Sequence, residues 1–200
     1  MSSRKIIYCL VLFCGISSLD VIADPLPDSQ RIIALNFDGQ LTMSSCVLEA
    51  PDVVRLPAAN LTELRNLQPG GTTLQSTAYL AVVVKDCGNL ANSSGLLTLT
   101  FNSNVVPPAG NYPAFENELT ASPGLEVAQG VGIAIVDSRA GGKNVLQNNG
   151  QPQPINYTID TRDLQQQRDF NVSYMRLAPQ NDQLQSGLIE STVIINATYN

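Results

Sequence analysis

Four cysteines and no histidine set the chemistry open to this chain. Cys9 and Cys14 fall inside an apolar leading stretch, whereas Cys46 and Cys87 lie beyond it. Two thiols left in an exported chain predict a disulfide, and closing a loop of that size stabilises a fold by about 4 kcal/mol on the chain-entropy model. A metal or redox pair would call for CxxC spacing or histidine partners, and neither is there. Without histidine, the commonest general base and the Ser-His and Cys-His nucleophile systems are missing. Asp160 and Asp163 form a loose acidic pair that reads as solvated turn residues rather than a catalytic dyad. The "GVG" at 130–132 lacks the further glycine and the acidic residue of a dinucleotide fingerprint. The "GG" pairs at 70–71 and 141–142 lack the Lys-Ser/Thr of a phosphate loop. The expectation is a protein with no enzymatic activity, no cofactor and no metal site.

Charge narrows the partners. Lys+Arg number 11 against 17 Asp+Glu, a formal charge of −6, so nucleic acid and anionic lipid surfaces find no basic footprint. Residues 1–23 read as a secretory signal: Arg4 and Lys5, the apolar "IIYCLVLFCGI", then "VIA" ending at Ala23. The apolar run is too short to span a membrane, and no later stretch qualifies, so direct membrane insertion is not expected.

The elements that must position any site are strands. "RIIALNFDGQLTMSSC" alternates Ile33, Leu35, Phe37, Gly39 and Leu41 with Ala34, Asn36, Asp38 and Gln40, one apolar edge and one polar. The proline-containing 24–30 segment before it suits an extended tail. "VVRLP" predicts a short strand, and "NLTELRNLQPGG" spaces Leu61, Leu64 and Leu67 for one or two helical turns. "LQSTAYLAVVVKDC" predicts a long strand buried on both faces. "GLLTLTFNS", "VGIAIVD", "INYTID" and "FNVSY" predict further strands, and "RAGGKN" and "NNGQPQP" predict turns. "GLIESTVIINATYN" closes the chain in a strand with Gly187, Ile189, Ser191, Val193, Ile195, Ala197 and Tyr199 on one parity. The pattern is one all-β sandwich without internal repeats.

Taken in order, these residues resemble a known family. The extension with an internal glycine, the helical turn between the cysteines, "VVVKDCGN", "GVGIAIVD", Gly187 fourteenth from the end and the penultimate Tyr199 are together similar to the pilins of chaperone–usher fimbriae, the type 1 and P-type subunits. The resemblance implies an all-β, immunoglobulin-like sandwich with one disulfide that lacks its last strand and is completed by a donor strand. It implies a division into a signal peptide (1–23), a donor-strand extension (24–44) and a pilin domain (45–200). Ile33, Leu35, Phe37, Gly39 and Leu41 would enter a neighbouring subunit's groove, an instance of strand addition. Gly187, Ile189, Val193, Ile195, Ala197, Tyr199 and Asn200 would form the C-terminal strand that a periplasmic chaperone contacts. The partners implied are neighbouring pilin subunits, the chaperone and an outer-membrane usher. The place implied is a surface fimbria reached through the periplasm, supporting adhesion.

Other readings stay open on residues alone. Ile33–Met43 also reads as an ordinary first strand pairing within its own domain. Extra loop length around "NNGQPQP" and "LAPQNDQLQSG" allows a minor adaptor or a base terminator. A host-glycan-binding surface module would need a lectin domain for which the chain has no room. Five Asn-X-Ser/Thr triplets, at Asn60, Asn92, Asn156, Asn171 and Asn196, would accept glycans in a eukaryotic immunoglobulin-like domain, but the absence of tryptophan argues against that core.

Overall fold

The computed structural model describes residues 33–41, 46–86, 94–103, 105, 112–139, 141–160 and 165–199. Among them the elements run β1 (Ile33–Leu41), β2 (Val47–Glu49), β3 (Val53–Leu56), α1 (Leu61–Asn66), β4 (Thr72–Lys85), β5 (Ser94–Ser103), β6 (Val131–Asp137), β7 (Ile155–Asp160), β8 (Gln165–Arg176) and β9 (Ser191–Tyr199). The strands form two sheets, ordered β3-β1-β9-β5-β7 and β2-β4-β8-β6. Every pairing is antiparallel except that of β1 with β9, which is parallel.

Period-2 apolarity builds the core, because successive side chains of a strand point to opposite faces. Leu97, Leu99 and Phe101 of β5 are buried, and so are Ile155, Tyr157 and Ile159 of β7. Across the sandwich, Phe170 of β8 meets the Phe101 ring edge-on, centroids 4.9 Å apart, a favoured aromatic geometry.

β4 departs from the sequence expectation. It is buried on one face only: Leu80, Val82 and Val84 are inside, but Tyr79 is 74% exposed, since no described segment covers that side. β6 is buried on both, Gly132 and Ala134 included. Its outer face is roofed by the 112–115 segment, where Phe115 and Ile133 exchange two backbone hydrogen bonds of 2.8 Å. A Cβ on Gly132 would sit 2.8 Å from the Phe115 carbonyl oxygen, so only glycine admits this approach.

The helical turn forms as its spacing predicts. Asn60 caps α1 by accepting from the Thr62 N–H at 2.8 Å, relieving one of the orphan donors of a helix start. At the other end Arg176 of β8 donates to the Arg65 and Leu67 carbonyls at 3.0 and 2.9 Å. Cys46 is buried in the core; Cys87, its expected partner, lies outside the described residues.

Candidate functional site

The seam between β9 and β1 joins the first and last described strands. On β9, Ser191, Val193, Ile195 and Ala197 are at most 1% exposed and alternate with half-buried Thr192, Ile194 and Asn196. One side of β9 pairs with β5, from Leu97↔Tyr199 to Ser103↔Val193. The other pairs with β1, from Leu35↔Ser191 to Leu41↔Ala197. β1 also pairs with β3, from Ile33↔Leu56 to Asn36↔Val53. The segment expected to be lent to a neighbour therefore lies, in this structure, in the chain's own sheet beside its last strand. Phe37 stands in register with Val193, Gly39 with Ile195 and Leu41 with Ala197, so the apolar parity of β1 coincides with the inward parity of β9.

The start of β9 is held by a clamp that the sequence did not announce. The Asn117 amide donates to the Ala128 and Leu188 carbonyls at 3.1 and 2.9 Å. Its carbonyl oxygen accepts from the Leu119 and Glu190 N–H groups at 3.1 and 3.0 Å. Glu118 accepts from the Thr192 N–H at 3.0 Å, and the Ser191 hydroxyl donates to the Glu116 carbonyl. Gly187 and Ile189 precede β9 rather than belonging to it. Gly187 is pressed on the 126–128 backbone, where a Cβ would lie 2.4 Å from the carbonyl carbon of Val127. Beside Ile189 is an apolar hollow of about 210 Å³, walled also by Ala58, Leu61, Leu64, Val131 and Tyr174. Tyr174 is fixed there by its hydroxyl, which donates to the Pro57 carbonyl at 2.9 Å, and burial pushes its phenol above the usual range. Ala58 follows β3 and Ile189 precedes β9, so the hollow lies off the Ile33 end of β1.

At the far end of β9, half-buried Tyr199 lies over Gly95 of β5. A Cβ on Gly95 would stand 1.6 Å from the Tyr199 hydroxyl oxygen, so the glycine is the slot for the ring. Asn200 is outside the described residues. The structure thus gathers Val193, Ile195, Ala197 and Tyr199 along one strand, sets Gly187 and Ile189 at its approach, and lays the backbone of Ile33–Leu41 alongside.

A second polar cluster closes the opposite side of the sandwich. Asp137, 3% exposed, accepts from Arg139 Nε at 2.8 Å and from the Arg139 N–H at 3.1 Å. That hydrogen bond raises the Arg139 pKa. The Arg139 and Arg168 guanidiniums lie 3.9 and 4.9 Å from the centroid of the Tyr157 ring, cation–π distances. Burial pushes the Tyr157 phenol up. Asp160 ends β7; Asp163, the other half of the loose acidic pair, is outside the described residues. Among the described residues no group of three His, Cys, Asp or Glu could hold a metal ion.

Comparison places this architecture among known folds. No protein-family model matches the sequence, and no curated protein does. The P pilus rod subunit PapA superposes with a TM-score of 0.53 at 13% identity, over 78% of this chain and 100% of PapA. The CupB6 tip adhesin from Pseudomonas aeruginosa gives a TM-score of 0.49 at 12% identity, over 78% of this chain and 43% of the adhesin, so this chain spans less than half of that protein. At such identities the likeness is one of fold: the chain is an all-β sandwich of the pilin kind.

Proposed function

We propose that the chain is a structural subunit of a bacterial surface fimbria, assembled by exchange of its first strand between neighbouring copies. The observation that carries the reading is the parallel seam. A strand from the N-terminal end fills the position beside β9 in the parallel sense, within a sandwich whose other described strands all pair antiparallel. Parallel pairing is slightly weaker per residue than antiparallel. A neighbour's Ile33–Leu41 inserted the other way round keeps the same parity, because a period of two is unchanged by reversing the strand. The chain's own β1 is then an occupant that a neighbour can replace. In this reading a periplasmic chaperone holds β9 before assembly, an outer-membrane usher passes the subunit to the growing fibre, and a Cys46–Cys87 disulfide braces the sandwich. The subunit reaches the surface through the periplasm after loss of residues 1–23 and supports adhesion there.

A second reading is favoured by one observation, the β1–β9 and β1–β3 ladders within a single chain. There β1 is a permanent strand and the protein is complete alone. Refolding with and without residues 1–41 separates the two. Under strand exchange the shortened chain aggregates alone and becomes a soluble one-to-one complex with a synthetic peptide of residues 31–43, while the chain with its extension forms head-to-tail polymers after brief unfolding and refolding at high concentration. A parent that stays monomeric under the same treatment refutes the proposal, whatever the shortened chain does.

A further inference from the structure

A sandwich that grows by strand addition must keep its other edges shut, since any free row of N–H and C=O groups is a template for another chain. The described edges are closed in different ways. β2 and β3 have three and four residues. β6 is covered by its own chain: besides the exchange with Phe115, the Val145 N–H donates to the Ile135 carbonyl and the Asp137 N–H to the Lys143 carbonyl, both at 2.9 Å. β7 is different. It ends the sheet with six residues, β5 on one side and no described strand on the other.

Its outer row of carbonyls is met by side chains instead. Arg139 Nη1 donates to the Asn156 carbonyl at 3.3 Å. Arg168 Nη2 donates to the Thr158 carbonyl at 3.3 Å. Gln166 Nε2 donates to the Asp160 carbonyl at 2.6 Å. Residues 156, 158 and 160 are the alternate set whose carbonyls share one side of a strand, so three donors cap three successive acceptors of the free edge. The donors come from the β6–β7 connection and from β8 of the other sheet, and the two arginines are braced on the Tyr157 ring. A second copy approaching edge to edge would have to displace all three and bring two more guanidiniums against these two.

We infer that Arg139, Gln166 and Arg168 block strand addition along β7, confining growth of the sheet to the seam beside β9. The blocking rests on the fold and the hydrogen bonds and holds whether or not β1 is exchanged; the confinement of growth to the β9 seam rests on the exchange proposed above. A reporter at Thr158, whose side chain is exposed, tests it. If two copies pair antiparallel through β7 about this position, the two 158 side chains face each other with Cβ atoms about 4.5–5.5 Å apart, close enough for Thr158→Cys to form an intermolecular disulfide under a copper–phenanthroline oxidant. With the three donors in place, little dimer joined at position 158 is expected. Adding Gln166→Met and Arg168→Met, which keep volume and remove donors, raises that dimer at least tenfold, as read by mass spectrometry of the joined peptide. Should the methionine pair fail to fold, Gln166→Glu alone, an acceptor where the donor stood, is expected to raise it severalfold. Equal cross-linking in folded chains with and without the donors overturns the inference. Because the readout sits on β7, its failure is distinguishable from failure of the exchange proposed at β1.

Discussion

Arg176 offers the sharpest test of the packing behind the β9 hollow. Its side chain is 5% exposed and donates to four backbone carbonyls: Ala178 at 2.8 Å, Leu67 at 2.9 Å, Arg65 at 3.0 Å and Pro179 at 3.3 Å. It ties the end of α1, and hence hollow-lining Leu61 and Leu64, to β8. Hydrogen bonds from a charged donor are worth about 1.5–3 kcal/mol each, so the set amounts to roughly 6–12 kcal/mol gross. Burying the guanidinium takes back several kcal/mol of that. Arg176→Met keeps the apolar stem and strands the carbonyls, and the expected net loss is about 3–4 kcal/mol. In a chain of this size that lowers Tm by roughly 6–16 °C. Urea unfolding followed by tyrosine fluorescence and far-UV circular dichroism measures it, with an unchanged m-value as the check that both states are comparable. Arg176→Lys should do no better than methionine, because an ammonium reaches one or two of the four acceptors and remains buried. A methionine variant within 1 kcal/mol of the parent, or a lysine variant that matches the parent, would refute the reasoning.

Asn117→Ala removes four hydrogen bonds around the start of β9 and should destabilise by about 2–4 kcal/mol, with hydrogen exchange of the Glu190 and Thr192 amides rising before that of the core. Gly95→Val drives a side chain into the space of the Tyr199 ring, and a loss of about 1–3 kcal/mol with altered Tyr199 fluorescence is expected. Tyr157 and Tyr174 both hold their phenol protons above the ordinary value of 10.0. The unfolded chain releases those protons first, so stability is full below about pH 10 and falls as pH rises beyond it. Titration at 295 nm should show these two tyrosines ionising together with unfolding. Two more phenols titrating near pH 10 in an intact fold would contradict their burial.

Elements whose cause is local were legible in the sequence. Alternation gave the strands of β5, β7 and β9, and Asn60 with the leucine spacing gave α1. Burial on both faces was misjudged at β4, since apolar content along a strand does not say whether a second layer covers it. A run such as "AYLAVVV" needs its neighbours to reveal that Tyr79 faces water. Gly187 shows the same limit from another side: its parity fits β9, but close packing on residues 126–128 stops the strand short of it. Asn117, Gly95 and Arg176 act on partners far along the chain, Asn117 on Leu188 and Glu190, Gly95 on Tyr199, Arg176 on Arg65. No spacing rule reaches such pairs. The edge donors of β7 were invisible for that reason too, lying in loop and strand positions of ordinary polarity.

The junction of β1 with β9 has a kinetic consequence. Leu35 and Ser191 are partners although roughly 150 residues separate them, and such non-local pairing makes folding slow. The middle of this sheet cannot close until β9 has been made. Up to that moment the molecule is a half-built wall with its gap at the centre rather than the rim, and whatever reaches the gap first, the chain's own beginning or something foreign, decides what the finished object is.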